Sequence, residues 1–168
     1  MKEIRKVILI AGAGQNVGKT TLACQIIQIL SATESVTAIK VAGHKHTLTN
    51  LQKIILQREG LIITEEQDLN SQKDSSLFLQ YGARKSYFIQ VEDEKIEELV
   101  VWINDHLYGY IVCESGILGK SIRPDKAFYV DRLNSAKRPT WRFEYVTVFY
   151  DGEHFMPEVV SLLSDLKN

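Results

Sequence analysis

The sequence predicts an α/β domain built on a mostly parallel sheet, and three observations carry that expectation. Short apolar runs recur along the chain: Val7-Ile8-Leu9-Ile10, residues 36–41, Tyr87-Phe88-Ile89, Tyr110-Ile111-Val112-Cys113, Phe128-Tyr129-Val130 and residues 145–150. Unbroken runs of this kind, bounded by Gly or polar residues, mark parallel strands covered on both faces. Between them lie apolar residues three and four apart, the spacing of one helix face: Leu22, Ile26, Ile29 and Leu30, then Ile96, Leu99, Val100 and Ile103. Strand and helix patterns alternate, as they do in α/β folds.

In chain order, the first strand runs into a glycine-bearing loop and then directly into the first helix. The second strand ends near the basic stretch His44-Lys45-His46. Lys53-Ile54-Ile55-Leu56-Gln57 and Leu61-Ile62-Ile63-Thr64, joined through Gly60, read as an inserted β-hairpin. A helix over residues 50–58 is the competing reading. The hairpin is expected to project from the sheet, so that Ile54, Leu61 and Ile63 need a cover, which a homodimer partner would supply. Ser71 or Asp74 suits the start of a helix carrying Leu77, Phe78 and Tyr81. The acidic run from Glu92 to Glu98 reads as a solvated helix face with favourable first-turn charges. Val159, Leu162, Leu163 and Leu166, behind Pro157, predict a last helix.

Composition narrows the function classes. A chain of 168 residues and 19.1 kDa suits a single domain able to bury a core without staples. Lys plus Arg number 20 against 21 Asp plus Glu, so the basic excess of a nucleic-acid binder is missing. Cys24 and Cys113 fall in apolar runs without Cys-x-x-Cys spacing and read as buried thiols of a reducing compartment. The first apolar run is too short for a membrane span and lacks a signal-type cleavage site. The expectation is a cytoplasmic protein with neither membrane nor nucleic acid as partner.

The sharpest signal follows the first strand. Ala13-Gly14-Gln15-Asn16-Val17-Gly18-Lys19-Thr20-Thr21 has the spacing A-x-x-x-x-G-K-T and leads into an amphipathic helix. This is the phosphate-binding loop with Ala for its first Gly, and it predicts a three-layer α/β/α P-loop NTPase. In that chemistry, backbone N–H groups of the loop and the helix N-terminus converge on phosphate oxygens. Lys19 reaches the β- and γ-phosphates, and Thr20 gives its hydroxyl to Mg²⁺. Gly14 and Gly18 are expected to supply backbone conformations that residues with a Cβ adopt poorly. A carboxylate near the metal is also required. Glu114, at the end of the strand 110–113, is the first candidate, as a holder of a metal-bound or attacking water. Without Mg²⁺ it is expected to be unpaired. Asp151 is the competitor, though before Gly152 it also reads as a turn residue.

The phosphate loop, the strand ending in Lys40, the segment Asp68-Leu69-Asn70-Ser71-Gln72-Lys73-Asp74-Ser75 with Gly82-Ala83, and Glu114-Ser115-Gly116 follow one another in a definite order. Over roughly residues 5–130 that order resembles the molybdopterin-guanine dinucleotide biosynthesis protein B family. The resemblance implies a small dimeric GTP-binding protein that assists attachment of a guanine nucleotide to molybdopterin, alongside other cofactor-biosynthesis proteins. It also brings Asp68, Lys73 and Asp74 into the site. Lys40, His44, Lys45 and His46 then suit a second anionic ligand such as a phosphorylated pterin, with a solvated basic loop as the plain alternative. A zinc site on His44 and His46 lacks a third ligand.

Three functions stay open on these residues. The first is a Mg²⁺-dependent GTP- or ATP-binding protein with slow hydrolysis, serving a pterin-type cofactor pathway. The second is an ATP-dependent small-molecule kinase or ligase, and the third a nucleotide-gated adaptor. Slow turnover is expected because no arginine finger is evident and Gln15 lies inside the loop. Base choice is not readable, since Asn-Lys-x-Asp is missing, although the loop around Asn134 could contact a base.

Overall fold

The computed structural model describes residues 5–132, 137–155, 161–162 and 164–167. The elements are β1 (Arg5–Gly12), α1 (Lys19–Ser31), β2 (Val36–Ala42), β3 (Gln52–Arg58), β4 (Leu61–Glu66), α2 (Asp74–Gln80), β5 (Lys85–Val91), α3 (Ile96–His106), β6 (Gly109–Ser115), β7 (Lys126–Asp131) and β8 (Val146–Phe149). The strands form one sheet in the order β3-β4-β5-β2-β6-β1-β7-β8. The run from β5 to β8 is parallel, and β3 and β4 add antiparallel at one edge. The α/β class and the mostly parallel sheet are as the sequence predicts.

Alternation along the central strands explains why they are apolar throughout. Ile8 and Ile10 of β1, Ala38 of β2 and Val112 of β6 pack with Leu22, Ile26, Leu30 and Phe78 of α1 and α2. Their neighbours Leu9, Ile39, Ile111 and Cys113 face the other way, onto Leu99, Trp102 and Ile103 of α3. Because successive side chains of a strand point to opposite faces, a strand covered twice needs both sets apolar. Among the described residues, no helix is long and apolar enough to cross a membrane. Both cysteines are free and buried.

The hairpin forms, and the helix over 50–58 does not. It does not project, however. β4 pairs with β5 from Leu61↔Val91 to Glu65↔Tyr87, so the hairpin continues the sheet. Leu61 and Ile63 are 0% exposed inside one chain, whereas Ile54 is 49% exposed. The free N–H and C=O groups of β5 are the physical reason, since a strand laid against them satisfies both edges. A second copy is therefore not needed to cover Leu61 and Ile63. Glu92, Asp93, Glu94 and Glu97 are exposed as expected, and Glu98 takes Arg58 of β3 and Lys95, which ties α3 to the hairpin.

The helix α2 starts at Asp74 with no side-chain cap, and the Ser71 hydroxyl accepts the Lys73 N–H just before it (3.3 Å). Leu166 is buried against the α1 side. Pro157, Val159, Leu163 and Asn134 lie outside the described residues.

The hairpin geometry has a direct test in denaturant unfolding. Leu61→Ala should lower stability by about 2–5 kcal/mol, as emptying a filled core site does. Ile54→Ala should stay within about 1 kcal/mol. Equal losses would mean that Ile54 is covered by a partner in solution.

Candidate functional site

The loop 13–18 joins β1 to α1, and its backbone is specialised at two positions. Asn16 has φ 55° and Gly18 φ 102°, both left-handed. A Cβ on Gly18 would also lie 2.6 Å from Cδ1 of Tyr150, so this position requires glycine twice over. Gly14 differs from the expectation: it lies in open space with nothing for a Cβ to meet, and its φ is not left-handed. Its carbonyl instead accepts a 2.6 Å hydrogen bond from Lys19 Nζ. Ala13 spends its N–H on the Val130 carbonyl (3.0 Å), prolonging the β1–β7 pairing, so that N–H is not available to a phosphate. Val17 is buried in the core, and Gln15, Asn16 and Thr21 are exposed. α1 starts with no side-chain cap and no acidic residue in its first turn, so its first N–H groups keep their positive potential.

Sheet register delivers the remaining groups. Glu114 lies opposite Ile10 of β1 and Lys40 of β2. It follows Val112 by two residues, as Lys40 follows Ala38, so both side chains fall on the α1 face where the apolar core ends. Thr20 Oγ1 donates to Glu114 Oε2 at 3.0 Å. Lys40 Nζ pairs with Glu114 Oε1 and also with Asp74 Oδ2 at 2.8 Å. A chain Thr20–Glu114–Lys40–Asp74 therefore joins the start of α1, two central strands and the start of α2. With Lys19 it lines a cavity of about 830 Å³.

The charges are shaped by this packing. Burial lowers the Lys19 pKa from its ordinary value. Burial acts the same way on Lys40, but Glu114 and Asp74 outweigh it and leave its pKa raised. The Cys24 thiol, at the cavity wall, is pushed up to about 12 by burial and then by the Glu114 and Asp74 charges.

Glu114 is thus not left unpaired without a metal. It is 1% exposed, and a buried carboxylate without a partner would be strongly destabilising, so Lys40 supplies the compensating charge. Asp151 is a turn residue: its Oδ1 accepts the N–H groups of Glu153 and His154, both at 2.7 Å, which lowers its pKa. The basic loop is split. His44 and Lys45 are exposed, while the His46 backbone is clamped by the Gln90 amide. His46 borders a second cavity of about 300 Å³, which shares Lys40 and Asp74 with the first and adds Lys73 and Phe88. Among the described residues no three His, Cys, Asp or Glu side chains cluster as a metal-binding group, so a zinc site on His44 and His46 has no support.

Sequence reasoning missed Glu66. It is buried, accepts the Ser75 hydroxyl at 2.7 Å and the N–H groups of Gln67 and Asp68, and so fixes where α2 begins. Nothing local distinguishes it from Glu65; only the sheet pairing shows that it faces inward.

Compared with family models, curated proteins and solved structures, the chain gives no match.

Two measurements check the geometry. In urea, Glu114→Gln should reduce stability by about 1–3 kcal/mol, and Lys40→Met should cost less in that background than alone. Additive losses would deny the contact. With a thiol pKa of about 12, Cys24 is almost wholly protonated at pH 8. The native protein should then show no fast-reacting thiol, whereas the unfolded chain shows two; one fast thiol in the native state would contradict the burial.

Proposed function

We propose that residues 13–20 are the phosphate loop of a P-loop NTPase fold, and that the protein binds a Mg²⁺–nucleoside triphosphate and hydrolyses it slowly. The observation that carries the reading is the 3.0 Å contact between Thr20 Oγ1 and Glu114 Oε2. These residues lie 94 apart in sequence: the loop spacing gives Thr20 to the cation, and Glu114, at a strand end, is the first candidate for the carboxylate that the cation requires. A hydroxyl and a carboxylate form the hard-oxygen donor set that suits Mg²⁺. The ion supplies positive charge at the phosphate oxygens. Lys19, folded onto the Gly14 carbonyl, needs only to exchange that carbonyl for a phosphate oxygen. The uncapped α1 terminus favours the same anion. Turnover is slow in this account because among the described residues no arginine lines the cavity, and both Glu114 oxygens are already engaged, by Lys40 and by Thr20.

The order of the phosphate loop, Lys40, Lys73-Asp74-Ser75 with Gly82-Ala83, and Glu114 supports GTP as the nucleotide and a cytoplasmic role in molybdenum-cofactor biosynthesis. That role is the one associated with the molybdopterin-guanine dinucleotide biosynthesis protein B family, which this order resembles. A homodimer and a biosynthetic protein partner belong to that proposal. The Lys40–Asp74 pair adds to it, because it joins two of the resembling segments in space. A second reading, an ATP-dependent kinase or ligase, is favoured by the smaller cavity, whose wall of Lys40 and Asp74 would bring a small acceptor beside the phosphates.

Calorimetry tests the main reading. Lys19→Ala removes a charge-assisted contact and should weaken triphosphate binding about ten- to a hundredfold, with little change in melting temperature of the free protein. Glu114→Gln should reduce the Mg²⁺-dependent part of the affinity about tenfold and spare metal-free binding, while Asp151→Asn leaves both intact. Unchanged affinity in Lys19→Ala would sink the phosphate-loop assignment.

A further inference from the structure

The chain is nearly neutral, but its charge is not evenly spread. Residues 120–142 contain seven Lys and Arg against two Asp. Both acids already have partners. Asp125 accepts the Val7 N–H at 2.7 Å, and Asp131, fully buried, pairs with Arg138 and accepts the Arg132 N–H. Arg138 is taken up by Asp131 and Arg132 donates to the Asn16 carbonyl, while other cations of the segment are exposed. Three of them, Lys120, Arg123 and Arg142, line a cavity of about 700 Å³ together with Thr140, Trp141 and Phe143. All three are exposed, and none forms an ion pair or hydrogen bond with a described residue. This cavity shares no residue with the phosphate-loop cavity.

The cavity is built rather than incidental. The segment leaving β6 is pinned at its start by Ser115 Oγ, which accepts the N–H groups of Ile117 and Leu118, and at its end by the Asp125–Val7 contacts. Gly119 sits directly against the indole of Trp141, where any Cβ would collide with the ring. Trp141 stacks on Phe143 (centroids 5.2 Å apart, planes at 26°) and meets Tyr129 edge-on at 6.0 Å. Its indole N–H, beside Gly119, makes no hydrogen bond to a described residue.

We propose that this cavity is a second anion site, which takes a small molecule bearing two or more phosphate groups. The charge decides the class: three unpaired cations repel one another when the cavity is empty, and one phosphate cannot balance them. Guanidinium groups and an N–H donor suit phosphate oxygens. Ile122, Trp141 and Phe143 offer apolar surface to the rest of the ligand. The volume is that of a small-molecule cleft. An extended polynucleotide fits less well, since its backbone needs a long basic track and the remainder of the chain is net acidic.

Inorganic tripolyphosphate is the probe, titrated calorimetrically into the full chain without Mg²⁺. Wild type should bind at a site that Arg123→Ala/Arg142→Ala weakens at least tenfold, while Lys19→Ala leaves that site untouched. Trp141→Phe keeps a ring but deletes the N–H donor, and should weaken the same site severalfold. If the double variant does not fold, the exposed single changes Lys120→Ala and Arg142→Ala must each weaken binding. Loss of all tripolyphosphate binding in Lys19→Ala would overturn the proposal, as would affinity indifferent to the arginine changes. A single-stranded oligonucleotide that binds tighter than tripolyphosphate through these arginines would also overturn it, by assigning the surface to nucleic acid. Failure of the phosphate-loop reading looks different: one site remains, insensitive to Lys19→Ala and sensitive to Arg123→Ala/Arg142→Ala.

Discussion

Glu114 is a carboxylate almost wholly withdrawn from water, in the middle strand of a sheet whose neighbouring residues are nearly all apolar. A charge in such a place is tolerated only when opposite charge and donors meet it directly. Lys40 can meet it because β2 is the direct neighbour of β6, and Thr20 because α1 begins above β1 on the other side. The strand order β2-β6-β1 and the burial of Glu114 are thus one constraint seen twice. Lys40, held between two carboxylates, then draws Asp74 and the start of α2 to the same point. Glu66 secures α2 from behind through Ser75. Without Glu114, Lys40 would keep only Asp74, and the helix starts would lose their common anchor.

The same arrangement limits the chemistry available. The Lys40 ammonium already occupies one Glu114 oxygen and the Thr20 hydroxyl the other, so a ligand entering the cavity meets a carboxylate whose contacts are formed. Incoming phosphate would raise the depressed pKa of Lys19 and find a helix terminus that no side chain has capped. The opposite face of the sheet carries a different kind of positive charge. In the segment 120–142 the cations are exposed side chains beside an aromatic wall rather than backbone N–H groups. A net charge of −1 for the whole chain hides both features, since it averages an acidic majority with a basic segment.

Much of this was legible in the order of residues. Apolar runs in both faces of β1, β2 and β6 announced a doubly covered sheet, and Gly18-Lys19-Thr20 after a strand announced the loop. Glu114 was readable as a strand end, and Asp151 as a turn residue. Contacts between distant segments were not readable. Lys40 was readable at the end of its strand, but nothing in residues 36–46 shows that it faces Glu114. Gly14 looked conformationally special by analogy with Gly18, but only the φ values separate them. The hairpin's direction was misjudged because its two strands say nothing about the free edge of β5 on which they dock. Gly119 gave no signal at all, since its reason is a tryptophan 22 residues later.

The most direct test of the account is a crystal structure of the protein with Mg²⁺ and a non-hydrolysable nucleoside triphosphate. The account predicts phosphates within the loop 13–20, Lys19 Nζ moved from the Gly14 carbonyl to a phosphate oxygen, and the cation at Thr20 on the Glu114 side of the cavity. Lys40 should still bridge Glu114 and Asp74. A nucleotide bound elsewhere, with Lys19 still folded onto Gly14 and Thr20 still donating to Glu114, would contradict it.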